Sequence, residues 1–249
     1  MSKNIIITGA SSGFGEAAAR KLHKAGHRLL LVARREDRLK QLAKELGSNV
    51  YTRKVDVSKS EDVKNLFSNL PEGFDDLDVL VNSAGLALGS EKVPDVSIDD
   101  WSTMINTNNK GLVHMSLEAV KVMKPNNKGQ IVNIGSVAGI TPYPGGNVYG
   151  ATKAFVHQFT RNLRVDLHGF NIRVGNIEPG AAQTEFSEVR FKGDKAKAKA
   201  MYEGYRELTA DDVSEAIIWT INLPEHVNVD NIEIMPTDQT AAGLQLAKS

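Results

Sequence analysis

Seven short runs of aliphatic and β-branched residues recur along the chain, separated by longer amphipathic stretches. Several of these runs are apolar at consecutive positions, the pattern of strands that are covered on both faces of a sheet. The predicted strands are NIIIT (4–8), RLLLVA (28–33), NVYTRKV (49–55), LDVLVN (77–82), QIVNIGS (130–136), NIRVGNIE (171–178) and NIEIMP (231–236).

The stretches between these runs have helical patterns, most clearly GEAAARKLHKAG (15–26) and REDRLKQLAKELG (35–47). Each of the two ends in glycine, which commonly caps the C-terminus of a helix. Parallel neighbouring strands need crossover connections, so this alternation predicts an α/β fold: a Rossmann-like, doubly wound, seven-stranded parallel sheet with helices on both faces. No linker-like segment divides it, and a single domain over residues 1–249 is expected.

Composition excludes several classes of function. Thirty Lys and Arg residues balance thirty Asp and Glu residues, so no net charge draws the chain toward nucleic acid or an anionic membrane. The absence of cysteine excludes disulfides, thiolate catalysis and cysteine-ligated zinc. No apolar run approaches the roughly 20 residues that span a bilayer, and the apolar core of MSKNIIITGA is too short for a signal peptide, so a soluble, cytoplasmic protein is expected. His23 and His27 lack a third ligand; a solvated helix face is the preferred interpretation, and no metal site is predicted.

A glycine-rich loop follows the first predicted strand directly and leads into an alanine-rich helix. Glycines between a strand and a helix allow a tight turn and leave room for a pyrophosphate against the backbone N–H groups of the helix N-terminus. Their spacing is G-x-x-x-G-x-G rather than the more familiar G-x-G-x-x-G. The alternative is a turn with a structural role only. The residues of this loop that we predict to bind a dinucleotide are Gly9, Ser11, Ser12, Gly13, Phe14 and Gly15.

The end of the second predicted strand bears on the choice of dinucleotide. A fold that binds NAD usually places an acid there for the ribose hydroxyls, but this chain has Ala33 followed by Arg34 and Arg35. Two guanidinium groups suit the dianionic 2′-phosphate of NADP(H). The alternative is that both arginines are merely the solvated start of the next helix, although cations at that end oppose the helix dipole. NADP(H) is therefore the predicted cofactor.

Five motifs occur in order on the predicted elements: TGASSGFG, NSAG (82–85), Ser136, YGATK (149–153) and PGAAQT (179–184). Together they resemble the short-chain dehydrogenase/reductase family, and the resemblance covers essentially the whole chain. The segments TEFSEVRFKGD and EIMPTDQTAAG are similar to a branch of NADP-dependent 3-hydroxy acid dehydrogenases, which act on serine and allo-threonine. A sulfoacetaldehyde reductase branch has similar segments.

The resemblance implies a catalytic set of Asn108, Ser136, Tyr149 and Lys153. Ser136 precedes Tyr149 by thirteen residues, as is typical of the family, and DDWSTMINTNNKG resembles its W-x6-N segment. Asn106 and Asn109 are close enough to Asn108 that a shift in the alignment stays open. The family more often has N-N-A-G where this chain has NSAG. Further cofactor contacts implied by the resemblance, besides Tyr149 and Lys153, are Asp56, Val57, Asn82, Ala84, Gly85, Pro179, Gly180 and Thr184. For Asp56, capping of the next helix is an alternative.

Tyr149 and Lys153 are one helical turn apart, so their side chains can share one site. A phenol with a pKa of about 10 must lose roughly three units, or about 4 kcal/mol, to act as a base at neutral pH. A cation about 4 Å away supplies approximately that at an effective dielectric constant near 20, so the charge of Lys153, aided by the positive nicotinamide ring of the oxidised cofactor, is expected to lower the pKa of the phenol. The resemblance assigns acid–base catalysis to Tyr149, a hydrogen bond with the reacting oxygen to Ser136, and a water linking Lys153 to solvent to Asn108.

The resemblance also implies a substrate lid over about 185–208 and a C-terminal tail over about 237–249. Arg190 lies in this lid between Val189 and Phe191, and its fork suits the carboxylate of a substrate. A salt bridge to Glu188, Asp194 or another lid acid is an equal alternative. The predicted function is hydride transfer between NADP(H) and a small 3-hydroxy acid, in a homotetramer as the family implies. Reduction of another aldehyde or ketone, sulfoacetaldehyde included, and non-catalytic NADP(H)-dependent regulation are the alternatives.

Overall fold

A single parallel sheet forms the centre of the molecule. The computed structural model describes residues 2–241 and residue 245. Within them, seven strands are all parallel, in the order β3-β2-β1-β4-β5-β6-β7. The strands are β1 Asn4–Thr8, β2 Arg28–Ala33, β3 Val50–Lys54, β4 Val79–Asn82, β5 Gly129–Ile134, β6 Ile172–Pro179 and β7 Asn231–Ile234. The predicted doubly wound, Rossmann-like sheet is confirmed.

Helices cover both faces of the sheet. They are α1 Gly13–Lys24, α2 Glu36–Leu46, α3 Ser60–Ser68, α4 Ile98–Ile105, α5 Leu112–Met123, α6 Asn147–Asp166, α7 Glu185–Arg190, α8 Lys195–Ala200 and α9 Ala210–Asn222. A π-helical turn, Asn106–Gly111, joins α4 to α5, and a 3-10 turn, Val137–Gly139, follows β5.

Each face of the sheet carries its own hydrophobic core. Side chains alternate across a strand, so Ile5 and Ile7 pack into one core and Ile6 into the other, and all three are fully buried. The first core includes Leu22 of α1 and Ile217 of α9, while the second includes residues of α3 and α5. Burial on both faces explains why the strands are apolar at consecutive positions.

Two predictions made from the sequence need correction in the fold. The strand predicted at 130–136 ends at Ile134, because Gly135 and Ser136 lead out of the sheet and Ser136 caps the 3-10 turn that starts at Val137. His27, which we expected on a solvated helix face, lies beyond the end of α1 and is buried; its Nδ1 accepts a hydrogen bond from the Lys3 backbone N–H at 3.1 Å. Burial, together with the charge of Lys3, lowers the pKa of His27.

The predicted lid segment begins after β6, and its last residue pairs with the chain just before its start. Leu208 pairs with Ala182 in a parallel bridge, and the Leu208 N–H donates to the Ala181 carbonyl at 2.9 Å. Helices α7 and α8 lie within this closed segment. Of the predicted tail, 242–244 and 246–249 lie outside the described residues. No helix among the described residues is long and apolar enough to cross a membrane.

Candidate active site

Two cavities adjoin at the carboxyl ends of the strands, where open α/β sheets bind ligands. The first, which we call the loop groove, has a volume of about 250 Å³ and runs from the glycine-rich loop past the ends of β2 and β4. The second, which we call the chamber, has a volume of about 370 Å³ and lies between the end of β5, α6 and the lid. Both cavities are lined by Phe14, Ser83, Gly85, Thr184 and Phe186. They therefore share walls and form one continuous site.

Most residues predicted from the sequence line one of these cavities. Those in the loop groove are Gly9, Ser11, Ser12, Gly13, Phe14, Arg34, Arg35, Asp56, Val57, Ala84, Gly85 and Thr184. Those in the chamber are Phe14, Gly85, Thr184, Ser136, Tyr149, Lys153, Pro179, Gly180 and Arg190. Gly15, Asn82 and Asn108 line neither. The Asn82 amide instead donates to Ser116 Oγ at 3.0 Å and to Asn133 Oδ1 at 2.9 Å, so it ties β4 to α5 and β5.

The glycine-rich loop needs its glycines for two different physical reasons. Gly9 and Gly13 have φ values of 67° and 55°, a region that favours glycine. A Cβ on Gly15 would lie 2.6 Å from the Gly9 carbonyl oxygen, so Gly15 allows α1 to start close against the loop. The N-terminus of α1 consequently meets the loop groove, as an anion site at a helix N-terminus requires.

Arg34 and Arg35 differ in their surroundings. Arg34 is exposed, and the structure gives it no ion pair with any described residue. Arg35 is held by both loop serines, with Nε donating to Ser11 Oγ at 3.2 Å and Nη2 to Ser12 Oγ at 2.8 Å. Its Nη1 donates to both oxygens of Glu185 at 2.8 Å. No pattern in the sequence indicates this last contact.

Asp56 lies at the groove without capping α3. Its Oδ1 accepts hydrogen bonds from the Ser58 N–H at 3.1 Å and from Ser58 Oγ at 2.7 Å, which closes a turn ahead of the helix. Helix α3 begins only at Ser60. The alternative that Asp56 caps the next helix is therefore not what the structure shows.

Asn108 is placed by the π-helical turn between α4 and α5. Turns of this kind are rare and often occur at functional sites. The Asn108 amide nitrogen donates to the Leu86 carbonyl at 2.8 Å and to Thr152 Oγ1 at 3.0 Å, and its Oδ1 accepts from the Leu86 N–H at 2.9 Å. A Cβ on Gly85 would lie 3.4 Å from Asn108 Oδ1 and 3.6 Å from Lys153 Nζ, so these two polar groups flank the same point. Among the neighbouring asparagines, Asn109 instead points its amide toward the Thr152 carbonyl at 3.5 Å.

Ser136, Tyr149 and Lys153 come together where the 3-10 turn packs on α6. Ser136 Oγ donates to the Pro179 carbonyl at 3.3 Å and accepts from the Ala138 N–H at 3.1 Å. Lys153 Nζ donates to the Ile134 carbonyl at 2.8 Å and lies 5.9 Å from the centre of the Tyr149 ring. All three side chains are buried and line the chamber.

The polypeptide's own groups do not lower the pKa of the Tyr149 phenol. Burial raises the pKa of Tyr149 to about 12, against the opposing charge of Arg190 and a hydrogen bond with Ser136. Burial also lowers the pKa of Lys153 to about 8, against the opposing charge of Glu178. Lys153 alone therefore does not make the phenol acidic, because the same burial that brings the two side chains together disfavours both charged forms. The expected lowering also depends on the positive nicotinamide ring of the oxidised cofactor and stays a prediction.

Arg190 is the second basic side chain in the chamber wall, besides Lys153. It is 6% exposed, its Nη2 donates to the Tyr143 hydroxyl, and its Nε has no hydrogen-bond partner in the described structure. The guanidinium carbon lies 5.1 Å from the centre of the Tyr149 ring and 6.0 Å from that of Phe186. No ion pair joins Arg190 to any described residue, and Asp194 instead accepts from the Lys197 N–H at 3.0 Å. The salt-bridge alternative for Arg190 is thus not found.

Comparison with known proteins agrees with this arrangement of motifs. Residues 3–195 match the short chain dehydrogenase family. This chain belongs to that family and is an oxidoreductase of the dehydrogenase type.

The individual relatives are similar over their whole length. The NADP-dependent 3-hydroxy acid dehydrogenase YdfG of Salmonella typhi is 50% identical over 246 residues, which cover 98% of this chain and 99% of the relative. Sulfoacetaldehyde reductase 2 of Chromohalobacter salexigens is 50% identical over 242 residues, 96% of each chain. A closed form of serine dehydrogenase complexed with NADP⁺ superposes with a TM-score of 0.95 at 49% identity, covering 99% of this chain and 100% of that one.

Proposed function

We propose that this protein catalyses hydride transfer between NADP(H) and small 3-hydroxy acids or the matching carbonyl compounds. The observation that carries the substrate class is Arg190, a buried guanidinium without an acidic partner among the described residues. It lines the same chamber as Ser136, Tyr149 and Lys153. A buried cation of this kind favours an anionic ligand.

The loop groove has the chemistry that NADP(H) requires. Arg34, Arg35 and the loop serines offer donors for a 2′-phosphate, and the N-terminus of α1 suits a pyrophosphate. Gly85 leaves open the space beside Lys153 and Asn108 that a Cβ would fill. When bound, the nicotinamide supplies or accepts the hydride. The relatives named above include NADP-dependent enzymes, which supports the same cofactor here.

Tyr149 moves the proton. Because burial raises its pKa to about 12, the phenol is protonated at neutral pH and can donate its proton to a carbonyl oxygen during reduction. In the oxidative direction, Tyr149 must take a proton from the alcohol. The nearby Lys153 ammonium and Arg190 guanidinium would then stabilise the phenolate.

Ser136 and Asn108 support this transfer. The Ser136 hydroxyl lines the chamber and can hydrogen-bond the reacting oxygen. Both amide hydrogens of Asn108 are used by Leu86 and Thr152, so only Oδ1, or the backbone, can hold a water that links Lys153 to solvent. Asn108 therefore acts first by fixing the segment that carries Gly85.

A sulfonate is the second candidate for the anionic group, because a guanidinium fork suits it as well and a sulfoacetaldehyde reductase is among the relatives. The homotetramer and the cytoplasmic location expected from the sequence stay predictions. Exposed apolar side chains such as Leu117 and Trp219, each 54% exposed, support an oligomer.

Matched substrates test the substrate class. NADP⁺ reduction is measured with serine, 3-hydroxybutyrate, its uncharged methyl ester and 2-hydroxyethanesulfonate. We expect kcat/KM for the carboxylate to exceed that for the ester by at least about tenfold, as a charge-assisted hydrogen bond of ~1.5 kcal/mol or more implies. Equal values for acid and ester would contradict the anion site. NADPH binding without turnover of any substrate would instead support a non-catalytic regulator.

A further inference from the structure

An ion pair joins the lid to the opposite wall of the loop groove. Glu185 is the first residue of α7, and Arg35 immediately precedes α2. One guanidinium nitrogen, Arg35 Nη1, donates to both carboxylate oxygens of Glu185 at 2.8 Å. Arg38, one turn into α2, adds a contact from its Nη1 to Glu185 Oε2 at 3.0 Å. Arg35, which lines the groove, and Arg38, which does not, thus share one carboxylate of the lid.

The lid helix α7 is itself a wall of the loop groove. Glu185, Phe186 and Val189 all line that cavity, and Thr184 lies 3.6 Å from the position of a Cβ on Gly13. A ligand in the groove would therefore lie between α7 and the glycine-rich loop. The contact of Glu185 with Arg35 and Arg38 joins α7 to the start of α2 at this opening.

The charges of this cluster affect the ionisation of Glu185 although its side chains are partly exposed. The side chains of Glu185, Arg35 and Arg38 are 27%, 38% and 47% exposed. Burial would raise the pKa of Glu185, but the hydrogen bond and charge of Arg35 and the charge of Arg38 outweigh it and lower the pKa. An exposed pair contributes about 0–1 kcal/mol, but a network in which two arginines share one carboxylate is a case in which such pairs count.

The charge balance allows this contact and a cofactor phosphate to coexist. Arg34, Arg35 and Arg38 carry three positive charges and Glu185 carries one negative charge, so the cluster has a net charge of +2. A phosphate monoester carries a charge of about −1.5 to −2 at pH 7. Arg34 has no ion pair with a described residue and can serve the phosphate while Arg35 is shared.

We propose that Glu185 is a clasp that holds α7 across the loop groove and limits the rate at which NADP(H) leaves. This inference rests on the proposed binding of NADP(H) in the groove and is independent of the substrate. Glu185 is a positioning residue, because it acts through Arg35, Arg38 and the lid.

The dissociation rate of NADPH tests the clasp. Each variant is loaded with NADPH and mixed in a stopped-flow instrument with excess NADP⁺, and the change in NADPH fluorescence gives the rate constant. Glu185→Gln keeps the shape but removes the charge, and should speed dissociation by about three- to tenfold, with association changed by less than about twofold. Glu188→Gln, on the same helix but with no side-chain ion pair to a described residue, is the matched control and should leave both rates unchanged.

Arg38→Gln provides a second route to the same interaction if Glu185→Gln does not fold. It should speed dissociation by about twofold alone and have no further effect in the Glu185→Gln background, since the two residues share one contact. Unchanged or slower dissociation in Glu185→Gln would overturn the proposal, and slower dissociation would mean that the carboxylate competes with the 2′-phosphate. Additive effects of the two substitutions would also overturn it. If wild-type protein does not bind NADPH, the proposed function fails; if it binds but the rates do not change, only the clasp fails.

Discussion

Replacing Arg190 with alanine should separate charged from uncharged substrates. The guanidinium is buried, fixed by the Tyr143 hydroxyl, and stacked near the rings of Tyr149 and Phe186, with its Nε unused within the described structure. Its removal takes the guanidinium charge out of the chamber wall while leaving Ser136 and Lys153 in place. Only a substrate with an anionic group should lose a direct partner.

The expected loss of kcat/KM follows from the burial of Arg190. At 6% exposure, solvent screens Arg190 little, so a charge-assisted hydrogen bond should be near its usual value of about 1.5–3 kcal/mol. At about 1.4 kcal/mol per tenfold, kcat/KM for a 3-hydroxy acid should fall roughly 10–150-fold. The charge of Arg190 also lowers the pKa of Tyr149, so its loss raises that pKa further above 7, and the phenol stays protonated. Turnover of an uncharged analogue in the reductive direction should therefore change little.

The assay compares 3-oxobutyrate with its methyl ester as substrates for NADPH oxidation. Tyr143→Phe is a graded control: it removes only the acceptor that holds Arg190, and should lower kcat/KM for the acid by about 2–13-fold, from a neutral hydrogen bond of ~0.5–1.5 kcal/mol. Parallel losses on acid and ester in Arg190→Ala would show that the arginine merely holds the lid together. An unaffected acid would refute the anion site altogether.

Three further predictions concern the proton, the cofactor and stability. Tyr149→Phe should lower kcat by roughly 10²–10⁴-fold with NADPH binding retained, and more than about a tenth of wild-type kcat would rule out acid–base catalysis by the phenol. Alanine at both Arg34 and Arg35 should weaken NADPH binding much more than NADH binding in fluorescence titrations, because only NADPH carries the 2′-phosphate and NADH loses at most the contribution of the Glu185 contact; equal losses would make the pair structural. The pKa of Lys153 is about 8 in the folded protein against 10.5 ordinarily, so the unfolded chain binds more protons between these values. The unfolding free energy of wild type, measured in urea, should therefore rise from pH 8 to 10.5 relative to Lys153→Met, by up to ~3 kcal/mol; a flat difference would contradict the lowered pKa.

The sheet could be predicted from the sequence because its signals are local. Apolar runs marked all seven strands, and glycine after α2 marked the helix end at Leu46. Strand ends were less certain: the run at 130–136 continues into Gly135 and Ser136, which belong to the site instead of the sheet. Hydrophobic character alone does not tell where a chain turns out of a sheet toward a ligand.

Site residues that belong to sequence motifs could be predicted, whereas contacts between residues far apart in the sequence could not. The placement of Tyr149 beside Lys153 follows from helical spacing. The contact of Glu185 with Arg35 joins residues 150 positions apart, and no pattern in the sequence indicates it. The burial that raises the pKa of Tyr149 in the polypeptide alone was not predicted, because Tyr149 packs against Phe186 of the lid, which only the folded chain brings to it.

The shared walls of the two cavities bear on redesign of this protein for other substrates. Phe186 contacts the Tyr149 ring at 5.5 Å between centres and lines both the loop groove and the chamber. Replacing Phe186 with a smaller residue to admit a bulkier substrate would also remove part of the wall of the loop groove. Met201 lines the chamber but not the loop groove, and its side chain has no N–H or O–H group to leave without a hydrogen bond. A library of substitutions at Met201 would vary the size of the substrate that the chamber accepts while leaving the walls of the loop groove unchanged.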